Sequence, residues 1–254
     1  MSYIDAHCHL GSHQFDDDRD EMINRMLSKR VDKAIIICCS KHDLGEGIRL
    51  RNQHSGFKLA CGIHPQSVEP EDTTERFERF RKIVDECKPD MIGEIGLDYY
   101  SHPHTKEKQK EFFIQQLQLA GEYDLPVDIH SRKASADTLE ILKKYPEKGI
   151  IHSYSGSVEM AALYIKLGYF VSFGASVLFP NAKRPAEVIR SIPLDRLLIE
   201  TDAPYQSPVK DHRHEPEDVV NIYKVISQIK SISMAELENQ VEKNYDRIFR
   251  SVSP

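Results

Sequence analysis

The sequence lacks several features that would each assign it to a particular class of protein. It has no apolar run approaching the roughly 18 residues that a membrane-spanning helix needs. Its formal net charge is -6 at pH 7, so no overall positive field draws it to DNA or to anionic lipid. Its first residues show neither the basic nor the apolar segment of a signal peptide. We therefore expect no membrane partner and no export, and any contact with nucleic acid must be local.

Cysteine is scarce, and its arrangement argues against a disulfide framework. The chain has 5 cysteines, an odd number, and none of them form a C-x-x-C pair. Secreted disulfide-rich domains show the opposite pattern. We therefore expect reduced cysteines and a cytoplasmic location. Cys8, Cys38 and Cys39 are expected to be small buried side chains rather than ligands or nucleophiles.

The sequence also lacks any low-complexity tract, Gly/Ser linker or change in composition that would mark a domain boundary. Its 254 residues, of which 40% are hydrophobic, match the size of about 250 residues that is typical of one (β/α)8 barrel. We therefore predict a single domain over residues 1–254.

Short apolar runs alternate with amphipathic stretches along the whole chain, as is typical of repeated strand–helix units on a parallel sheet. Two further amphipathic stretches follow the last run, and the second is expected to close the barrel. The eight predicted strands cover residues 3–9, 32–39, 57–63, 91–97, 126–130, 149–152, 169–173 and 197–201. The predicted fold is an α/β protein of the (β/α)8 TIM-barrel type, with a long polar loop over residues 204–216.

The ends of these predicted strands carry side chains that bind metals or transfer protons. In a (β/α)8 barrel the carboxyl ends of all strands meet at one mouth, so distant residues become neighbours there. His7 and His9 are two residues apart, which on a strand turns both imidazoles to the same side. The predicted metal ligands are His7, His9, Glu94, His130, His152 and Asp202.

This set of ligands is too large for one tetrahedral ion, so the sequence predicts a binuclear site with two divalent metal ions. Glu94, from the middle of the strand order, is expected to bridge the ions. Asp202, just after the eighth strand, is expected to hold one ion and to accept the proton of the attacking water. Glu94 and Asp202 are thus the predicted catalytic residues. Zinc, manganese and magnesium remain open as the metal, although magnesium normally takes more oxygen ligands.

Six motifs surround these residues. They are D-A-H-C-H from Asp5, G-I-H-P from Gly62, G-E-I-G-L-D-Y from Gly93, L-P-V-D-I-H-S-R from Leu125, H-S-Y-S-G from His152 and E-T-D-A-P-Y from Glu200. With these motifs the chain resembles, over nearly its full length, the TatD family of metal-dependent deoxyribonucleases, a branch of the amidohydrolase-like barrels. Two stretches depart from the family's pattern: H-S-Y-S-G replaces the usual H-C-F-S-G, and R-H-E-P from Arg213 replaces R-N-E-P.

The resemblance implies the same ligands and a 3′-5′ exonuclease that removes nucleotides from DNA, which makes DNA the expected partner. It also implies that His64 and Arg132 bind the substrate, a role that suits two side chains able to donate to a phosphate oxygen. Asp98 and Tyr205 would either assist them or fix a loop. No stable protein partner is evident, and the oligomeric state stays open.

Two other functions fit the same residues. A metal site in a barrel also hydrolyses other esters and amides, so the chain could be an aminoacyl-tRNA deacylase or a hydrolase of small esters or lactones. An apolar cleft would favour that alternative, whereas Arg132 and nearby cations favour phosphate. The other alternative is a metal-binding protein without catalysis, against which the presence of all the ligands argues.

Overall fold

The computed structural model describes residues 2–145, 148–179 and 181–250. Within them, eight parallel strands form one sheet whose spatial order follows the sequence. The strands are β1 (Tyr3–Cys8), β2 (Val31–Cys38), β3 (Phe57–Cys61), β4 (Met91–Asp98), β5 (Val127–Arg132), β6 (Gly149–Ile151), β7 (Phe170–Phe173) and β8 (Leu197–Ile199). The predicted (β/α)8 barrel is confirmed, and every predicted strand is present.

Helices cover the outside of the barrel. They are α1 (Arg19–Ser28), α2 (Lys41–Gln53), α3 (Thr74–Cys87), α4 (Lys106–Glu122), α5 (Ser135–Lys144), α6 (Val158–Lys166), α7 (Lys183–Ser191), α8 (Val219–Lys230) and α9 (Met234–Phe249). Helix α9 packs against β1 and β8, as expected of a closing helix. In the part of the chain that the structure describes, no helix has the length and apolar composition needed to cross a membrane.

The first and last strands meet at a seam that helps to fix the mouth of the barrel. The backbone N–H of Asp202 donates to the carbonyl of His7 at 3.0 Å. Deeper in the seam, the buried carboxylate of Asp5 accepts from the backbone N–H of Thr201 at 2.9 Å and from its hydroxyl at 2.6 Å. These bonds join the segment after β8 to β1, so His7 and Asp202 are held side by side.

At Gly96 the backbone of β4 lies directly against that of β5. Gly96 has φ +137°, a conformation that side chains other than glycine rarely adopt. A Cβ atom at this position would lie 2.1 Å from the carbonyl oxygen of His130. The glycine therefore allows Glu94 on β4 and His130 on β5 to share one site.

The predicted long loop over residues 204–216 contains no helix or strand before Pro216, which begins a short 3-10 helix, and the loop is anchored to the start of α1. The guanidinium of Arg213 donates to both carboxylate oxygens of Asp18 at 2.8 Å and lies over the ring of Phe15. The acidic run 16–18 immediately precedes α1. The carboxylate of Asp18 binds arginines and makes no capping hydrogen bond to α1.

Four histidines that are not predicted ligands differ in exposure. His42 and His104 are exposed, whereas His54 and His102 are only half-exposed. The ring of His54 packs against Phe57, with the centroids 4.8 Å apart, and His102 lies in the turn that leads into α4.

Candidate metal centre

All the predicted ligands lie together at the mouth of the barrel. Each one lies on a strand or within the three residues that follow it, and the set is His7, His9, Glu94, His130, His152 and Asp202. All are buried except His130, whose side chain is 15% exposed. The structure therefore brings the whole set together, whereas the role of these residues as metal ligands stays a prediction.

One group of ligands is formed by His7, His9 and Asp202. The two Nε2 atoms lie 3.3 Å apart, and the Oδ1 atom of Asp202 is 3.4 Å from His7 Nε2 and 3.3 Å from His9 Nε2. Ligands bound at about 2.1 Å around a tetrahedral ion are about 3.4 Å apart. The donor atoms and their spacing thus fit a divalent ion.

Glu94 forms a second group with His7 and His152 and also contacts His130. Its Oε2 atom is 3.6 Å from His7 Nε2 and 3.9 Å from His9 Nε2. Its Oε1 atom is 3.0 Å from His152 Nε2 and 2.6 Å from His130 Nδ1. Burial raises the pKa of Glu94, but the surrounding imidazoles outweigh it and hold that pKa well below its usual range. An ionised carboxylate with one oxygen toward each group is placed as a bridging ligand would be.

Two buried carboxylates that sequence reasoning missed lie behind the histidines. Asp128 Oδ1 is 3.1 Å from His7 Nδ1, and Glu200 Oε1 is 3.1 Å from His152 Nδ1. A carboxylate in this position fixes the orientation of the ring and keeps the proton on Nδ1. In its neutral form each ring therefore presents the lone pair of its Nε2 atom to the site, as metal binding requires.

The predicted substrate residues His64 and Arg132 line the same cleft. His64 Nε2 is 3.3 Å from Glu94 Oε1, and its Nδ1 accepts from the backbone N–H of Gln66 at 3.2 Å. Burial lowers the pKa of His64. The guanidinium of Arg132 is at the exposed rim, 4.2 Å from the centre of the Tyr100 ring.

His64, Glu94 and His130 are also close enough to form a third metal-binding group, a role that the sequence did not assign to His64. The hydrogen bonding of the ring argues against it. When Nδ1 accepts a hydrogen bond, the neutral imidazole carries its proton on Nε2 and has no lone pair there for a metal. As placed, His64 is a donor to the cleft.

Asp98 fixes the loop after β4. Its Oδ1 atom accepts from the backbone N–H groups of Tyr100 and Ser101 at 2.9 and 2.8 Å. Its Oδ2 atom is 3.4 Å from His130 Nε2. Tyr205 is 45% exposed at the mouth. Of the two roles left open for Asp98, loop fixing is the one that its contacts show.

The cleft above the ligands has a volume of about 710 Å³. Besides the ligands and Arg132, its lining is rich in hydroxyl groups, which belong to Ser67, Ser131, Ser153, Ser155, Ser176 and Tyr205. Hydroxyl and guanidinium groups donate hydrogen bonds to phosphate oxygens. This lining suits an anionic substrate better than the apolar ester of the alternative hypothesis.

Comparisons with known proteins agree with this geometry. The profile of the family described as TatD related DNase matches residues 4–250. The chain is similar to the metal-dependent hydrolase YabD of Bacillus subtilis, with 35% identity over 97% of this chain and 98% of that protein. It is also similar to human deoxyribonuclease TATDN3, with 30% identity over 98% and 95%. Among solved structures it resembles YJJV, a TatD homologue of Escherichia coli, with a TM-score of 0.89, 27% identity and 97% of both chains covered.

Proposed function

The chain belongs to the TatD family, and from this premise we propose that it is a metal-dependent hydrolase that cleaves phosphodiester bonds in DNA. The observation that carries the proposal is the convergence of imidazole and carboxylate ligands beneath a polar cleft with Arg132 at its rim. The family profile and the deoxyribonuclease name of the human relative support the choice of substrate.

The five cysteines form no disulfide bonds, which suits the reducing cytoplasm that the sequence predicts as the location of the protein.

We assign the ligands to two divalent ions. His7, His9 and Asp202 would hold one ion. His130 and His152 would supply ligands for the other, and Glu94, whose carboxylate oxygens face both sets of imidazoles, would be shared between the two. Nitrogen-rich ligands of this kind favour zinc or manganese over magnesium. When bound, such a pair of ions lowers the pKa of water and offsets the negative charge of the phosphate.

Asp202 is the residue that accepts the proton of the attacking water. Its Oδ1 atom faces His7 and His9, and its Oδ2 atom accepts from Gln206 Nε2 at 2.5 Å. Burial raises the pKa of Asp202, but hydrogen bonds from the two imidazoles outweigh it and lower that pKa. The carboxylate is therefore ionised at neutral pH and able to take a proton.

Arg132 and His64 hold the phosphate. The guanidinium of Arg132 offers several N–H donors to phosphate oxygens, and its stacking on Tyr100 limits the side-chain freedom lost on binding. His64 offers a single donor, Nε2–H, because its Nδ1 atom is engaged with the backbone of Gln66. Together these donors offset charge that develops on the phosphate oxygens in the transition state.

The family resemblance further leads us to propose 3′-5′ exonuclease polarity. The test uses metal-stripped protein and single-stranded DNA labelled at the 3′ or the 5′ end, with magnesium, manganese or zinc added back. We expect a single labelled nucleotide to leave the 3′-labelled strand first, while the 5′-labelled strand shortens stepwise. No cleavage with any metal, in protein that still binds metal, would refute the phosphodiesterase proposal and favour an ester or amide as substrate.

A further inference from the structure

A second cavity, of about 780 Å³, opens between α2 and α3 beside the metal cleft. Cys39 and Ser67 line both cavities, so the two are adjacent and share a wall. We call this cavity the α2–α3 groove. The groove therefore begins where the wall of the metal cleft ends.

The rim of the α2–α3 groove is positively charged. It carries the cations Lys41, Arg76, Arg79 and Lys82 against one acidic residue, Glu86. Arg76 is held by the backbone carbonyl and hydroxyl of Ser67 and by Asp72. By contrast, Lys41, Arg79 and Lys82 are exposed and make no ion pair within the described ranges. On a chain with a net charge of -6, three unpaired cations around one cavity form a local site for an anion.

The floor of the α2–α3 groove is apolar. Leu44 and Ile48 contribute from α2, and Phe80 and Ile83 contribute from α3. Ile83 is 38% exposed, so its side chain is available for contact. Single-stranded nucleic acid is bound by this combination, because cations follow the phosphates while apolar and aromatic side chains contact the bases.

We propose that the α2–α3 groove binds the nucleotides next to the scissile phosphodiester, so that the substrate is a DNA strand several nucleotides long. Lys41, Arg79 and Lys82 pair with its phosphates, and a base lies against Ile83. The inference rests on the phosphodiesterase function proposed above. The groove adds a cationic contact surface that the metal cleft lacks. In the described lining of that cleft, Arg132 is the one Lys or Arg side chain.

The test compares Arg79→Glu/Lys82→Glu with the control Lys29→Glu/Lys243→Glu. The control residues are also exposed and also make no ion pair in the described part of the chain, and both variants change the net charge equally. Two substrates are used: a single-stranded oligonucleotide of about 12 nucleotides, which can span both cavities, and bis(p-nitrophenyl) phosphate, which fills only the metal cleft. We expect the groove variant to raise KM for the oligonucleotide at least about tenfold and to weaken its dependence on salt. Hydrolysis of the small substrate and both activities of the control should be unchanged.

An unchanged KM for the oligonucleotide, or an equal loss on both substrates, would overturn the inference. If the unaltered protein hydrolyses neither substrate with any metal, the proposed function fails, and the groove is tested by measuring DNA binding instead. Binding is followed by the fluorescence anisotropy of the same oligonucleotide carrying a fluorescent label. Weaker binding by the groove variant alone supports the groove, and equal binding by all three proteins overturns it.

Discussion

Two histidines at the mouth of the barrel differ in chemistry because their Nδ1 atoms have different partners. His7 Nδ1 faces the carboxylate of Asp128, whereas His64 Nδ1 accepts from a backbone N–H. In its neutral form the first ring therefore has a lone pair on Nε2, whereas the second has a proton there. The partner behind each ring thus sets whether its Nε2 atom can accept a metal or donate to a phosphate oxygen.

Replacing Asp128 with Asn tests whether the carboxylate behind His7 prepares that ring for metal binding. The amide removes the negative charge behind His7 and allows the other tautomer. We expect the affinity for zinc or manganese to fall by about 10- to 100-fold while the far-ultraviolet circular dichroism stays unchanged. A competition titration against a chromophoric chelator measures the metal affinity. Asp195→Asn, at an exposed carboxylate on the surface, is the control, and equal affinity in the two variants would contradict the positioning role.

Asp202→Asn tests the proton acceptor. The change keeps the size of the side chain and tolerates the positive φ of 63° at this position. We expect a folded protein that has lost phosphodiester hydrolysis by at least about a thousandfold, because an amide is a poor proton acceptor. Asp211→Asn is the matched control, since Asp211 has φ 59° in the same loop and is exposed. Full activity of Asp202→Asn would remove this residue from the mechanism.

Arg132→Ala tests the phosphate contact. We expect KM for a phosphodiester to rise about 10- to 100-fold, the cost of losing a charged hydrogen bond, while any hydrolysis of a simple carboxylic ester is spared. Arg190→Ala, at an exposed position near the end of α7, is the control. Equal loss on both substrates would show that Arg132 supports the structure of the cleft instead.

The sequence predicts the ligands but not the carboxylates behind them. The topology of a (β/α)8 barrel brings the carboxyl ends of the strands together whatever the side-chain packing. This is why the sequence alone could place His7 and Asp202 in one site. Which ring atom faces the metal depends on side-chain contacts that no spacing reveals. A signal was nevertheless present: Asp128 and Glu200 are charged, lie beside apolar runs, and precede the predicted ligands His130 and Asp202 by two residues.

At the scale of elements, apolar runs locate the strands to within two residues at each end. The ends are less certain because the chain stays apolar after it has left the sheet, as at Ile63 beyond β3. The α2–α3 groove could not be predicted at all. It depends on how far apart two helices pack, and the sequence of each helix shows only which of its faces is apolar.

The contact between the long loop and α1 gives a prediction about stability and pH. Hydrogen bonds from Arg213 lead the effects that lower the pKa of Asp18 to about 2. Because the folded pKa lies below the unfolded value of about 4, the stabilisation is present above pH 4 and is lost as the pH falls toward 2. Asp18 is 26% exposed, so we expect Asp18→Asn to lower the free energy of unfolding at pH 7 by about 1 kcal/mol.

Urea unfolding of both proteins between pH 7 and pH 3 checks this prediction. The difference between the unaltered protein and Asp18→Asn should narrow below pH 4. Asp17→Asn, at the exposed neighbouring carboxylate, should leave stability unchanged. A difference that is independent of pH would mean that the Asp18–Arg213 ion pair does not anchor the loop.

For the whole molecule, net charge is a poor guide to the substrate. The acidic total argues against DNA, yet the described structure places Arg132 at the rim of the metal cleft and several cations along the α2–α3 groove. Local charge therefore differs from total charge. For this reason the composition argues against a protein that binds DNA over its whole surface, but it does not argue against a nuclease with a local binding site. The single-domain organisation stays a prediction.

The central claim is that the cluster at the mouth is a two-metal centre for phosphodiester hydrolysis. The most direct measurement titrates metal-free protein with manganese or zinc and follows nucleotide release from end-labelled DNA, with Asp202→Asn in parallel. We predict that activity rises until about two equivalents of metal per chain are bound, and that the variant stays inactive at every ratio. Hydrolysis by the metal-free protein, or full metal binding without hydrolysis, would contradict the claim.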